Sequence, residues 1–177
     1  LVNQVSRTSI AWGKILYVSV VALCSASATF LGLLITMYLP SGSAALVPGG
    51  LEGVAIGSTA LWVIIATLLS TALLSASVVT LLGCIAKTVK EGSSYVMPLY
   101  MLVVLVGVTT MYMDPSQNVL LFFIPIVNTI FMMKESFMGM VVASHLLITI
   151  LSNLAFAMVG AMLVSRLFNS ERILQTV

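Results

Sequence analysis

The sequence predicts an all-α integral membrane protein with four transmembrane helices and a re-entrant helical pair. Of its 177 residues, 60% are hydrophobic and only 7% are charged, and the mean hydropathy is +1.20. About 25% of the residues of a soluble domain are charged, because its surface is hydrated. This composition therefore excludes a soluble globular fold and a disordered chain. The net charge of +2 is too small to indicate nucleic-acid binding.

Four apolar stretches reach the roughly 20 residues that a helix needs to cross a bilayer. They run from about Ile15 to Leu39, from about Val54 to Ala86, from Val96 to Met113 and from about Met140 to Leu167. The linker over residues 40–53 is rich in Pro, Gly and Ser, which is typical of an irregular connection. The first two stretches contain no charged residue, which favours a permease energised by another subunit over an ion-driven carrier.

A fifth apolar run, Val119 to Met133, is interrupted by Pro125 and Asn128. At about 15 residues it is too short to span a membrane, and it predicts two short helical arms that enter and return over residues 118–138. Pro125 lacks an amide hydrogen and ends the first arm, and Asn128 is expected to cap the start of the second. The alternative is a single kinked helix at the membrane interface.

The basic residues indicate which side of the membrane each loop faces. If the fifth run does not cross, they divide six to one; if it does cross, they divide five to two. The six are Arg7, Lys14, Lys87, Lys90, Arg166 and Arg172, and the one is Lys134. Because basic residues collect on the cytoplasmic side, we expect the carboxyl terminus to be cytoplasmic and the segment over residues 114–139 to be extracellular.

No catalytic, metal or nucleotide site is predicted within the chain. His145 is the only histidine, the acidic residues are scattered, and neither HExxH nor GxxxxGK[ST] occurs. The two cysteines, Cys24 and Cys84, lack CxxC spacing. We expect His145 to hydrogen-bond a neighbouring helix, with a proton or substrate contact as the alternative.

Two further groups of residues carry expectations about contacts. Ala157, Ala161 and Ser165 form a stripe of small residues on the fourth span, which favours packing against another helix or subunit. The charged segment over residues 87–91 anchors the flanking spans at the headgroups or, alternatively, contacts a cytoplasmic partner.

Four groups of short motifs, distributed along nearly the whole chain, carry a family resemblance. In order they are Val5-Ser6-Arg7 with Gly13-Lys14; Ala86-Lys87 with Lys90-Glu91 and Pro98; Pro125-Ile126-Val127-Asn128; and Phe168-Asn169-Ser170-Glu171-Arg172-Ile173-Leu174. As an ordered set they resemble the C-terminal half of an ABC type-2 exporter permease, closest to the NatB-like sodium-exclusion branch. The second group resembles the loop before that family's fifth span, and the third its re-entrant segment.

The resemblance implies that residues 1–177 are part of a six-helix transmembrane domain whose first two spans precede Leu1. It also implies a dimeric permease in the cell membrane, homo- or heteromeric, that exports sodium ions or small molecules. Partner ABC subunits would bind and hydrolyse ATP with Mg, so this chain would hold no cofactor and be no enzyme. The residues that couple the chain to those subunits would be Arg7, Lys14, Lys87, Lys90 and Glu91. The residues that form the extracellular gate would be Pro125, Asn128, Lys134 and Glu135.

Two other functions stay open. A membrane scaffold or assembly protein would need only the small-residue stripe and no ATPase partner. An intramembrane enzyme would need clustered acids and histidines, which would have to lie outside this segment.

Overall fold

The described part of the chain is helical throughout and contains no strand. The computed structural model describes residues 7–38, 57–113 and 119–169. The helices are α1 (Arg7–Tyr38), α2 (Ser58–Ile85), α3 (Val89–Met111), α4 (Val127–Met138) and α5 (Ala143–Asn169), with a 3₁₀ helix at Val119–Phe123. Helices α1, α2, α3 and α5 are long and apolar enough to cross a membrane, so the prediction of a multi-pass membrane protein with four spans is confirmed.

The third span begins earlier than predicted. The polar segment after Lys87 is helical rather than a loop, because Thr88 caps α3: its Oγ1 accepts the amide hydrogen of Glu91 at 3.2 Å. The Glu91 carboxylate in turn accepts the amide hydrogen of Lys87 at 2.9 Å, which completes a reciprocal cap. Pro98 lies inside α3, as the predicted span from Val96 to Met113 has it, although the family resemblance groups it with the preceding loop. The predicted linker over residues 40–53 and Arg172 lie outside the described residues.

Helix α2 is the centre of the bundle and packs against α1, α4 and α5. Its buried face is made largely of small or hydroxyl-bearing residues, namely Ala60, Thr67, Ser70, Ala72, Ala76, Ser77 and Thr80. Lipid tails are as apolar as leucine side chains, so helices in a membrane associate through close packing rather than through hydrophobic exclusion. The closest approach joins α2 to α5 at Gly160, where an added Cβ would lie 2.8 Å from Ser77 Oγ.

Two apolar clusters hold the two ends of the bundle. At one end, Val63 of α2 packs with Phe122 of the 3₁₀ helix and with Phe131 and Met132 of α4; we call this the hairpin end. At the other end, Ile15 and Val164 pack together with a few half-buried residues, which are Leu81, Cys84 and Ala161. Helix α1 begins at this second end, α5 finishes there and α2 joins α3 there. We call it the basic end, because these three segments carry Arg7, Lys14, Lys87, Lys90 and Arg166. Ala161 of the small-residue stripe therefore packs beside α1.

The contact between Gly160 and Ser77 yields a prediction about stability. Gly160→Ala is expected to lower the free energy of unfolding by about 1–3 kcal/mol, because the new methyl group overpacks the α2–α5 crossing and the Ser77 hydroxyl is fixed by donating to Leu74 O at 2.8 Å. The measurement is denaturant unfolding in mixed micelles.

The same substitution at Gly107 of α3 is the control, since no atom lies within 4 Å of a Cβ built there. Gly107→Ala is expected to leave stability unchanged or raised by up to about 1 kcal/mol through helix propensity. Ser77→Gly should restore the Gly160→Ala variant. Equal effects of alanine at both glycines would contradict the close crossing.

Candidate functional site

The segment over residues 119–138 is a hairpin of unequal arms. The 3₁₀ helix at Val119–Phe123 is the first arm, the chain turns over residues 124–126, and α4 is the second arm. Helix α4 has 12 residues and is therefore about 18 Å long, too short for a hydrocarbon core of about 30 Å. The chain thus has two arms separated at Pro125, as predicted, rather than one kinked helix.

The turn between the arms is held in an unusual backbone conformation. Ile126 has φ 74° and ψ −53°, a region that β-branched residues rarely enter and that costs of the order of 1–3 kcal/mol. Two backbone hydrogen bonds span it: Asn128 N donates to Ile124 O at 3.0 Å, and Ile130 N donates to Ile126 O at 3.1 Å. The hydrogen bonds at the start of α4 therefore hold Ile126 in this strained conformation.

The prediction that Asn128 caps α4 is wrong. The capping position is Ile126, which makes no side-chain capping hydrogen bond. Helical hydrogen bonding already begins upstream, so Asn128 lies within the first turn of α4 and its side chain is directed to another helix. Its Nδ2 donates to Asn153 Oδ1 of α5 at 3.1 Å, and both asparagines are fully buried.

This amide pair is the centre of a polar network that joins α2, α4 and α5. Asn153 Nδ2 also lies within hydrogen-bonding distance of three hydroxyl oxygens, namely Ser70 Oγ (3.3 Å), Thr71 Oγ1 (3.3 Å) and Thr129 Oγ1 (3.4 Å). The two threonine hydroxyls lie 2.9 Å apart, and Thr129 Oγ1 donates to Asn128 Oδ1 at 3.2 Å. We call these five side chains the amide network.

An apolar cleft of about 400 Å³ borders the amide network. Its walls come from α2, α3, α5 and the hairpin turn, and they include Leu74, Leu99, Pro125 and Phe156. Thr71 and Thr129 are among its few polar residues. The cleft is open because α3 is the least embedded span: none of its spanning window is buried.

The outer part of the hairpin makes two further contacts. His145 Nδ1 lies 2.7 Å from Glu135 Oε1, so the predicted hydrogen bond from His145 to a neighbouring helix is confirmed, with α4 as that helix. Lys134 Nζ donates to the carbonyl oxygen of Met113, just beyond α3, at 2.7 Å. The four residues expected to form a gate thus lie on one hairpin, with Pro125 and Asn128 at its deep turn and Lys134 and Glu135 towards the end of the bundle.

The residues expected to couple to an ATPase lie at the opposite, basic end. Arg7 is the first residue of α1, and nothing is described of its side chain; Lys14 lies farther along α1 and is exposed. Lys87 and Lys90 are exposed at the α2–α3 junction, where Glu91 also accepts a hydrogen bond from the Tyr95 hydroxyl at 2.5 Å. The carboxylate of Glu91 is therefore engaged within its own helix.

The sequence reasoning did not identify Asn153, Thr71 or Thr129 as site residues. Serine and threonine in a span commonly bond back to their own helix, and Thr71 does so, donating to Thr67 O at 2.7 Å. Asn153 carried the available signal, because an amide in the middle of an apolar span is costly unless it finds a partner.

Comparison of the chain with protein-family models, with curated proteins and with solved structures finds no match.

The amide network is expected to contribute measurably to stability. Asn153→Ala removes the acceptor of the buried Asn128 Nδ2, so it should lower the free energy of unfolding by about 1–2 kcal/mol. Asn128→Ala should cost a similar amount. Because the two side chains act on each other, the double variant should cost clearly less than the sum of the single variants.

Ser94→Ala is the control for this cycle. The Ser94 hydroxyl is exposed and donates only within its own helix, to Lys90 O at 3.0 Å, so its loss should change stability by less than about 0.5 kcal/mol. Strict additivity of the two asparagine variants, measured by the same micellar unfolding, would exclude the amide network as a cooperative unit.

Proposed function

We propose that this chain is a transmembrane permease subunit of an ATP-driven ABC exporter and that the re-entrant hairpin is its outer gate. The observation that carries the proposal is the attachment of the hairpin: its short arm α4 is fixed inside the bundle to α5 by the buried hydrogen bond between Asn128 and Asn153. A gate needs an element with two discrete arrangements. A short hairpin held by a small apolar cluster and a few polar contacts can supply them.

The distribution of charge supports an external source of energy. Helix α2 contains no charged residue over its whole length, whereas ion-driven carriers keep ionisable groups at mid-membrane. The basic residues collect at the end opposite the hairpin. We propose that this basic end is cytoplasmic and contacts an ATP-binding subunit, on which ATP and Mg are bound, through Arg7, Lys14, Lys87, Lys90 and Glu91.

The remaining features of the proposal follow from the family resemblance. The permease works as a dimer in the cell membrane, and it exports sodium ions or small molecules. The small-residue stripe of α5, whose Ala157, Ala161 and Ser165 are half-buried, is the surface that we assign to helix packing. If no ATP-binding subunit associates with the chain, the alternative function is a membrane scaffold without transport activity.

Charge reversal at the basic end tests the coupling. The full-length parent chain is co-purified from membranes with a candidate ATP-binding subunit, and vanadate-sensitive ATP hydrolysis is measured. Arg7→Glu is expected to weaken the complex and to lower hydrolysis at least about fivefold, which corresponds to roughly 1 kcal/mol. Lys134→Glu, the same reversal at the hairpin end, should leave the complex intact. A wild-type chain that forms no complex would favour the scaffold.

Loss of the central amide tests the gate. Asn128→Ala is expected to reduce ATP-dependent uptake of radioactive sodium into inside-out vesicles by about 5- to 30-fold, the effect of one to two kcal/mol on a gating equilibrium, while the complex with the ATP-binding subunit persists. Ser94→Ala should transport like the wild type. Unchanged uptake in the Asn128→Ala variant, at equal expression, would exclude the hairpin as the gate.

A further inference from the structure

Glu135, one of the residues assigned to the proposed gate, forms a largely buried acid–base pair with His145. Glu135 lies in the last turn of α4, His145 lies in the first turn of α5, and Nδ1 and Oε1 are 2.7 Å apart. Their side chains are only 5% and 12% exposed. The ring of Phe122, itself fully buried, stacks on the imidazole with centroids 4.2 Å apart and planes at 19°. The pair is therefore shielded from water.

Two polar atoms beside this contact lack a hydrogen-bond partner among the described residues. They are Oε2 of Glu135 and Oγ1 of Thr149, both buried. Thr149 follows His145 by four residues, which places the two on the same face of α5. A buried carboxylate with one bare oxygen is costly, and a bound proton removes that cost by neutralising the charge.

Counting protons shows which state of the pair suits this environment. With no added proton the pair carries a charge of −1, with one it is neutral, and with two it carries +1. The negative end of the α4 dipole lies beside Glu135 and disfavours the carboxylate; the positive end of the α5 dipole lies beside His145 and disfavours the imidazolium. Burial penalises either net charge, so the site favours the state with one proton.

Among the described residues, the surrounding elements contribute few ionisable groups to this face. Helix α2 and the 3₁₀ helix contain no acidic or basic side chain, although α2 carries Cys84 in the cluster at the basic end. At the hairpin end of α3 the ionisable group is Tyr112, which is 89% exposed. On α4 itself, Lys134 holds its ammonium at the carbonyl oxygen of Met113.

We propose that Glu135 and His145 together bind a single proton, drawn from water at the hairpin end, and that this proton fastens α4 to α5. Without it, the negative charge of the carboxylate is left uncompensated in a dry site, and the free energy falls when the hairpin separates and admits water. This inference stands on the geometry of the pair, whether or not the chain works with an ATPase.

The first experiment counts the protons on the pair. Because the chain has one histidine, ¹⁵N-histidine labelling of the full chain in nanodiscs gives a single imidazole, and infrared spectroscopy follows the carboxylic-acid carbonyl stretch. At about pH 7.5, a unit above the unperturbed imidazole value, either an imidazolium signal or a carboxylic-acid band lost in Glu135→Gln is expected. Glu91→Gln should leave that band in place. A neutral imidazole without a carboxylic-acid band would overturn the proposal.

The second experiment tests whether the proton fastens the hairpin. A proton that the closed pair holds and the solvated pair releases makes opening easier as the pH rises, by up to about tenfold per pH unit. Hydrogen-exchange protection of α4, corrected for intrinsic rates, should therefore fall with rising pH in the wild type. It should stay level in Glu135→Gln, which is neutral without a proton, and still fall in Lys134→Gln. Parallel profiles for the wild type and Glu135→Gln would overturn the proposal.

Discussion

The hydrogen bond between the buried amides of Asn128 and Asn153 determines where the hairpin lies. Polar groups at membrane depth find no water, so each must be satisfied inside the protein. An asparagine in the first turn of α4 can enter the bundle only where another helix offers a matching group. Asn153 of α5 offers it, and the hydroxyls of α2 complete its hydrogen bonding. The position of the hairpin therefore follows from polar satisfaction as much as from apolar packing.

Helix α4 is attached to α5 at both of its ends. Asn128 and Glu135 are seven residues apart, or two helical turns, and so they lie on one face of α4. Their partners, Asn153 and His145, are eight residues apart on α5 and run in the opposite direction. The contact between Asn128 and Asn153 is uncharged, and its amides are hydrogen-bonded. The contact between Glu135 and His145 is ionisable and leaves one carboxylate oxygen without a partner among the described residues. The two contacts therefore respond to different influences.

Apolar length was enough to predict the number of spans, and the pair of Pro125 and Asn128 was enough to predict a hairpin. The early start of α3 was missed because its first residues are polar; the Thr88 cap outweighs that composition. The role of Asn128 was misjudged because a capping asparagine and a bridging one look alike in sequence. Their difference depends on where the turn falls, and Ile126, with its positive φ, gave no local indication of it. The pairing of Glu135 with His145 depends on the hairpin being folded back.

The apolar clusters and the amide network differ in how they respond to water. Burial of Val63 and Phe131, or of Ile15 and Val164, is maintained whether a neighbouring cavity is dry or wet, since water cannot replace an apolar contact. Hydrogen bonds are strong in a dry interior but exchange for bonds to water with a small net change. The bundle is therefore held at its two ends by contacts that water does not weaken. The hairpin is held by both kinds of contact, because Phe122, Phe131 and Met132 belong to it, and only its polar contacts weaken where water enters.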